Sequence, residues 1–355
     1  MLFNSARKLF AKIKEWEHWP FYFFYFPISY AWPLYFIKSR SVWFYTASNP
    51  TLAFGGFEGE KKSAIYKQLP SHLCPKSLYI APATSFDDIL QQLKVNQFVY
   101  PFIVKPDIGM KGLLFRIIQN EEQLAKYHLH MPVDYIIQEY VTMPYEVSVF
   151  YCRKPRQQKG IITALIQKDL LEITGDGNSR LADLIKDHPY ARSLLKKLKT
   201  EFANGENTIV PKGEKICLSH VANLFNGARF INLNHGIDGD LLSVFDAISH
   251  DNQFYYGRYD IKCISIDDLK KGRGFKILEF NGAGSVPNHI YTGTYTLWQA
   301  YKEILKHWRY LFEISEENRK TGFQYWSLKK GHRFLSASKR HFKLLKDLDE
   351  KLKLA

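Results

Sequence analysis

The chain has 355 residues, enough to bury one large core or a few smaller ones. Hydrophobic residues at 46% and charged residues at 24% exclude a disordered chain. A net charge of +14 favours anionic partners, while Cys74, Cys152, Cys217 and Cys263 stand too far apart for a CxxC pair or a metal site and read as reduced thiols.

The N-terminal segment WPFYFFYFPISYAWPLYFI, residues 19–37, carries no charge. A spanning helix needs about 20 apolar residues. Pro20, Pro27 and Pro33 interrupt this one, and its tyrosines and tryptophans suit an interface better than a bilayer centre. Arg7, Lys8, Lys12 and Lys14 precede it; Lys38 and Arg40 follow. The pattern predicts an arm (1–40) lying on or re-entering an anionic membrane surface, with a single spanning helix, or packing on the protein itself or in an oligomer, as the alternatives. Such a protein would be cytoplasmic, peripheral on the inner face of the membrane.

Residues 41–95 read as a short α/β region. SVWFYTAS is expected as a strand, NPTLAFGGFEGEK as a Gly-rich loop, SAIYKQLP as a short helix, SLYIAP as a strand and FDDILQQLKVN as a helix. Strands then follow at PFIVKP and GLLFRII, a helix at NEEQLAKYHLH, and strands at YIIQEYV and EVSVFYCR. A strand pair is expected over 160–175 and a helix over LADLIKDHPYARSLLKKLKTEFA. Mixed strands and helices continue through RFINL, LLSVFDAIS, YYGRYDIKCISI and FKILEF. TLWQAYKEILKHWRYLFEI is an amphipathic helix, and 316–355 a basic helical tail, read as a solvated face or a second lipid contact. The order makes an α+β fold with its main domain over 96–315.

Four pieces carry chemistry. In IVKPDIGMKG, Lys105 ends a strand and Gly109, Lys111 and Gly112 form a loop whose amides suit phosphate oxygens. IIQEYV carries Gln138 and Glu139, with Glu146 following; a polar break between strands suits a base edge and ribose hydroxyls. In GRYDI, Arg258 and Asp260 share one strand face, as do Glu279 and Asn281 in KILEFNGAGS. If those two strands pair, Asp260, Glu279 and Asn281 converge as oxygen ligands suited to Mg2+. Arg258 beside them would meet phosphate charge.

Together these pieces resemble the ATP-grasp superfamily, close in pattern to D-alanine–D-alanine ligase and cyanophycin-synthetase-like carboxylate–amine ligases, over residues 75 to 295. The resemblance implies an ATP-grasp fold of two α/β subdomains clasping ATP. It implies that Lys105 to Gly112 cover the phosphates and that Gln138, Glu139, Tyr140, Val141 and Glu146 hold adenine and ribose. Arg258 and Lys105 would be catalytic, and Asp260, Glu279 and Asn281 would bind one or two Mg2+, with Mn2+ as a substitute. LLEITGDGNSRLADLI resembles the TGDG region, with Lys168 upstream reaching the nucleotide. HVANLFNGARF resembles a substrate loop with Asn223, Gly227 and Arg229, and GAGS places Gly282 and Ser285 at the acyl acceptor. The departures are a short N-terminal region, an arm foreign to the pattern, and Lys111 where small residues are common. The segment NPTLAFGGFEGEK, with Gly55, Gly56 and Glu60, reads either as part of the acid's pocket or as a flexible loop.

The implied activity is ATP-dependent joining of a small carboxylate to an amine through an acylphosphate. Its rivals are a kinase-like phosphotransferase and a non-catalytic nucleotide binder at the membrane surface. No RNP-like motif, helix-turn-helix or zinc spacing argues for a specific nucleic acid. A homodimer is compatible with this reading.

Overall fold

A computed structural model describes residues 16–188, 191, 207–219 and 227–354. Within the arm, the prolines that argue against a spanning helix set up two short ones. Pro20 precedes α1 (Phe21–Tyr25), and Pro33 sits in the first turn of α2 (Ala31–Ser39), where its missing N–H costs no helical bond. Phe24, Ile28 and Ala31 are buried, and the opposite side is bare. No described helix is long and apolar enough to cross a membrane.

The strand expected at SVWFYTAS is instead a buried 3-10 turn, Phe44–Ala47. Four consecutive residues here are buried, so the alternation of a one-sided strand is missing. The Thr46 and Ser48 amides donate within the turn to Trp43 O and Tyr45 O, and two asparagines tie it to its surroundings. Asn318 Nδ2 donates to Ala47 O at 2.8 Å. Asn49 Nδ2 donates to Gly55 O and Tyr256 O at 3.0 and 2.8 Å, while its Oδ1 accepts from the Tyr255 and Tyr256 amides at 2.9 and 3.0 Å. After this segment comes α3 (Lys62–Tyr66).

Among the described residues, the rest is built on two large antiparallel sheets and a two-stranded one. In chain order the elements are β1 (Ser77–Ile80), α4 (Phe86–Val95), β2 (Phe102–Pro106), β3 (Arg116–Ile118), α5 (Glu121–Leu129), β4 (Tyr135–Glu139), β5 (Tyr145–Cys152), β6 (Ile161–Asp169), β7 (Glu172–Thr174), α6 (Leu181–Asp187), β8 (Lys215–Cys217), β9 (Arg229–Asn232), α7 (Gly239–Asn252), β10 (Tyr256–Cys263), α8 (Ile266–Lys270), β11 (Phe275–Asn281), α9 (Leu297–Lys320) and α10 (Leu328–Leu354). The first sheet has the order β1-β4-β2-β3 and the second β11-β10-β5-β6-β9. Ser85, Asn120, Asp238 and Thr296 cap α4, α5, α7 and α9 with side-chain oxygens, which fixes where those helices start.

Within the region 41–95, β1 pairs with β4 inside the first sheet. Two sequence expectations change here. GLLFRII yields only the short β3: Lys111, Gly112 and Leu114 take left-handed backbone at φ +54°, +77° and +56°, so the chain turns before it extends. The pair expected over 160–175 does not form, since β7 pairs with β8 and β6 lies between β5 and β9.

Helix α7 covers one face of the second sheet with Leu241, Phe245 and Ile248 against Val147, Val149, Tyr259 and Phe280. On the other face, Phe150, Ala164 and Tyr256 pack under Leu311 and Ile314 of α9. The tail also departs from expectation. Its lysines do face solvent, but the opposite stripe of α10 is packed: Leu345 is buried in the core of the first sheet, and Phe334 packs with Phe54 on the other side. The tail is thus a brace between the two halves of the molecule.

Candidate functional site

Strand register builds the site. Arg258 lies opposite Asn281, and Asp260 opposite Glu279, so the pairing expected from the two sequence spacings is the one that forms. On the other side of β10, Asp260 lies opposite Ser148 and Lys262 opposite Glu146. Val147 pairs with Gln167, which brings Lys168 beside Glu146 on the same face. A polar stripe therefore crosses four strands of the second sheet, at the end of the face that α9 leaves open.

Asp260 is its hub. Arg258 donates to both carboxylate oxygens at 3.0 Å, the Lys168 ammonium is 2.9 Å away, Asn281 Nδ2 donates at 3.2 Å, and the Ser148 hydroxyl donates as well. Burial alone would push this carboxyl up; Arg258 and Lys168 reverse that and hold it well below the usual carboxylate range. Glu279 follows the same logic with Lys62, whose Nζ is 2.9 Å from its Oε1. Burial raises Glu279, Lys62 outweighs it, and the net shift is downward. Glu146, 3.5 Å from Lys168, goes the other way because burial dominates.

The first sheet contributes Lys105 from β2 and Gln138 from β4. Lys105 Nζ donates to Gln138 Oε1 at 2.9 Å and to the Tyr66 hydroxyl at 3.2 Å. Tyr66 in turn donates to the Leu278 carbonyl of β11, which joins the two sheets across the cleft. Burial, aided by repulsion from Lys62, pushes Lys105 down to about 7. The Gly-containing loop after β2 is tied in by Lys62, which donates to Gly109 O at 3.1 Å.

Other predicted residues sit around this centre. Lys262 donates to Val141 O at 3.0 Å and lies over the Tyr140 ring, so the link after β4 borders the stripe. Glu139 points away: its carboxylate accepts from the Lys76 amide at 2.9 Å. Gly227 and Arg229 line a cavity of about 570 Å3 together with Glu146, Lys168 and Lys262. Asn223 lies outside the described residues. Gly282 is pressed against another glycine turn; a Cβ there would meet Gly55 O at 2.6 Å and Gly56 Cα at 3.0 Å. Ala283 and Gly284 donate to Gly55 O and Gly56 O, and the Ser285 hydroxyl donates to Asn281 O.

Sequence reading missed Lys62, Tyr66 and Ser148. Ser148 was findable, since it shares a strand face with Glu146. Lys62 and Tyr66 follow a Gly-rich loop, and only the fold brings them to β11.

The donor set fits a hard divalent cation. Asp260 and Glu279 are both held ionised, and the Asn281 amide is already at Asp260. Among the described residues no three His, Cys, Asp or Glu side chains form a metal cluster; this set has two carboxylates and one amide.

No protein-family model and no curated protein matches the chain. Solved structures do. A bifunctional glutathione synthetase from Pasteurella multocida is 16% identical with a TM-score of 0.39, over 69% of this chain and 35% of that one. A D-alanine–D-alanine ligase from Bacillus anthracis is 12% identical with a TM-score of 0.41, over 74% and 69%. The ATP-grasp ligase PsnB, complexed with a minimal precursor, is 12% identical with a TM-score of 0.37, over 70% and 60%. The chain thus spans about a third of the glutathione synthetase's length. With every score below 0.5, the chemistry rests on this chain's own residues; the structures it is similar to are ATP-grasp ligases, the family its motifs resemble.

Proposed function

We propose that the protein is an ATP-dependent carboxylate–amine ligase. The observation that carries this reading is the meeting of four cations (Lys62, Lys105, Lys168, Arg258) with Asp260, Glu279 and Asn281 in the cleft between the sheets, beside a glycine-containing loop. A carboxylate is a poor electrophile. Transfer of the γ-phosphoryl group to its oxygen breaks the bond to the β-phosphate oxygen and releases ADP. An amine then attacks the acyl carbon, a proton is lost from the nitrogen, and phosphate leaves.

The chain's residues divide this work. Lys105, Lys62 and Lys168 offer ammonium groups to the phosphates. Arg258, which spans Asp260 and the Val286 carbonyl at 3.5 Å, links the metal ligands to the turn over 282–286. Glu146 lines the cavity that suits a ribose and a base, and Lys262, which also lines it, holds the Val141 carbonyl of the link after β4. Mg2+ held by Asp260, Glu279 and Asn281 would neutralise phosphate charge. One oxygen each of Glu58 and Glu60 is buried without a hydrogen-bond partner among the described residues, and burial pushes both carboxyls up.

The test is ATP turnover against pooled amino acids, dipeptides and membrane extract, reading ADP and free phosphate. Matched, substrate-dependent release of both is expected. ADP without phosphate would move the assignment to a phosphotransferase, and absence of turnover with any pool would count against an enzyme.

ATP affinity should also depend on pH. In the free protein Lys105 loses its proton near pH 7, against about 10.4 in an unfolded chain. The unfolded chain binds the extra proton between those values, so this group's contribution to stability rises with pH across that window. Phosphate contact favours the ammonium, so binding takes up a proton. Affinity should fall as pH rises above 7, approaching about tenfold per unit. Titration calorimetry in buffers of different ionisation heat would read the proton uptake, and Lys105→Met should abolish it.

A second part of the reading concerns place. Tyr22, Phe26 and Ile37 are 84%, 78% and 75% exposed, with Phe21, Phe23, Tyr30 and Leu34 beside them. Between Glu17 and Glu58 the chain has no acidic residue, while Lys38 and Arg40 are exposed. This surface supports attachment to an anionic membrane. Phe21, Tyr22, Phe23 and Phe26 replaced together by Ser should lower co-sedimentation with anionic vesicles at least tenfold; undiminished binding would exclude the arm as the anchor.

A further inference from the structure

The strand-following loop of residues 107–115 is fastened from both ends. At its start, the Lys62 amide donates to Asp107 O at 3.0 Å, and Ser63 gives its amide and hydroxyl to the Asp107 carboxylate at 2.8 and 2.7 Å. His341 of α10, with Nε2 2.9 Å from Ile108 O, donates to the next carbonyl. At the far end, buried Asp349 of α10 accepts from the Leu114 amide at 3.1 Å and from Arg116 Nη2 at 2.9 Å. Between these ties the backbone turns left-handed at Lys111, Gly112 and Leu114. A left-handed non-glycine residue is unfavourable and persists only where its surroundings determine it. At Leu114 those surroundings are a fully buried side chain, which shares a core with Leu345 of α10, and the Asp349 contact.

We propose that α10 preorganises this loop for the nucleotide and that Asp349 is its positioning residue. The inference rests on the ligase reading for the identity of the ligand; the brace itself does not. A loop held in its binding shape loses little freedom when phosphate arrives, whereas a loop competent a tenth of the time binds about tenfold more weakly. Asp349 acts through the Leu114 amide and the Arg116 guanidinium.

The experiment uses the full chain with Asp349→Ala and Asp349→Asn. Amide hydrogen exchange over 108–116, denaturant unfolding, and the Kd and KM for ATP are measured together. The alanine variant should raise exchange of the loop amides at least tenfold and raise Kd and KM about tenfold, with kcat within about twofold. The asparagine variant keeps an acceptor for the Leu114 amide and should recover most of the loss. Unchanged loop exchange overturns the proposal. So does faster exchange across the whole first sheet, which would mark a merely structural role, or faster loop exchange with unchanged ATP affinity. Should the unaltered protein bind no ATP, the ligase reading falls, and the local exchange result alone decides whether α10 braces the loop.

Discussion

Asp260→Asn should lower ATP turnover by about 10²–10³, the loss typical of removing one preorganised electrostatic partner. The argument is charge. In the folded chain this carboxylate faces Arg258 and Lys168 together, with Ser148 and Asn281 filling its remaining acceptor sites. Asparagine keeps the size but brings an amide N–H where acceptor oxygens are required, and it removes a ligand from the proposed cation site. Asp260→Ala should add a stability loss of about 3–5 kcal/mol, because two buried cations lose a counter-charge. Urea unfolding gives the second number and a coupled ADP assay the first. Full turnover in the asparagine variant would remove Asp260 from the metal set. The stability contribution is present above the unfolded carboxylate pKa and is lost as pH falls toward the depressed folded value, so the wild-type advantage over alanine should shrink below pH 4.

The second large effect falls on Lys62. Its ammonium connects Glu279 of β11 to the Gly109 carbonyl of the loop, the one described side chain that touches both. Lys62→Met keeps most of the apolar stem and deletes the charge. Glu279, which burial already pushes up, then lacks its main counterweight, and its carboxyl should rise. Turnover should fall about 10²-fold, and the acid limb of the pH–rate profile should move to higher pH. Lys62→Arg should retain part of the activity if charge alone matters. A profile whose acid limb stays in place would show that Glu279 is held ionised by something other than Lys62.

Periodicity was most informative where chemistry repeats along a strand. Arg258 with Asp260, and Glu279 with Asn281, are separated by two residues, and a strand must put each pair on one face; the register of β10 with β11 then follows from a short connection. Lys105 was legible for a similar reason, as the last basic residue of an apolar strand before glycines. What escaped was contact between segments distant in sequence. Nothing in EKKSAIY separates half-buried Lys62 from exposed Lys61, because the difference lies in where β11 and the loop after β2 come to rest. SVWFYTAS has strand composition but pairs with no described strand; its amides bond within the turn, and the Ala47 carbonyl is served by Asn318, which lies 271 positions away. The helical period of α10 was visible, but its partner was not: Asp349 reads as one acid in a lysine-rich tail until Leu114 and Arg116 meet it.

Asn49 has a mechanical consequence. Its side chain grips Gly55, Tyr255 and Tyr256, so the aromatic segment behind it is bolted to β10 two residues before Arg258. The arm reaches the same segment through Trp32 and Tyr35, whose rings stand 5.3 and 5.7 Å from that of Phe44. Contacts therefore run from the arm through the turn to the strand. If the arm attaches to a membrane as proposed, these contacts set how far the Arg258 guanidinium stands from it, and a substrate tethered to that surface must be long enough to cover the same distance.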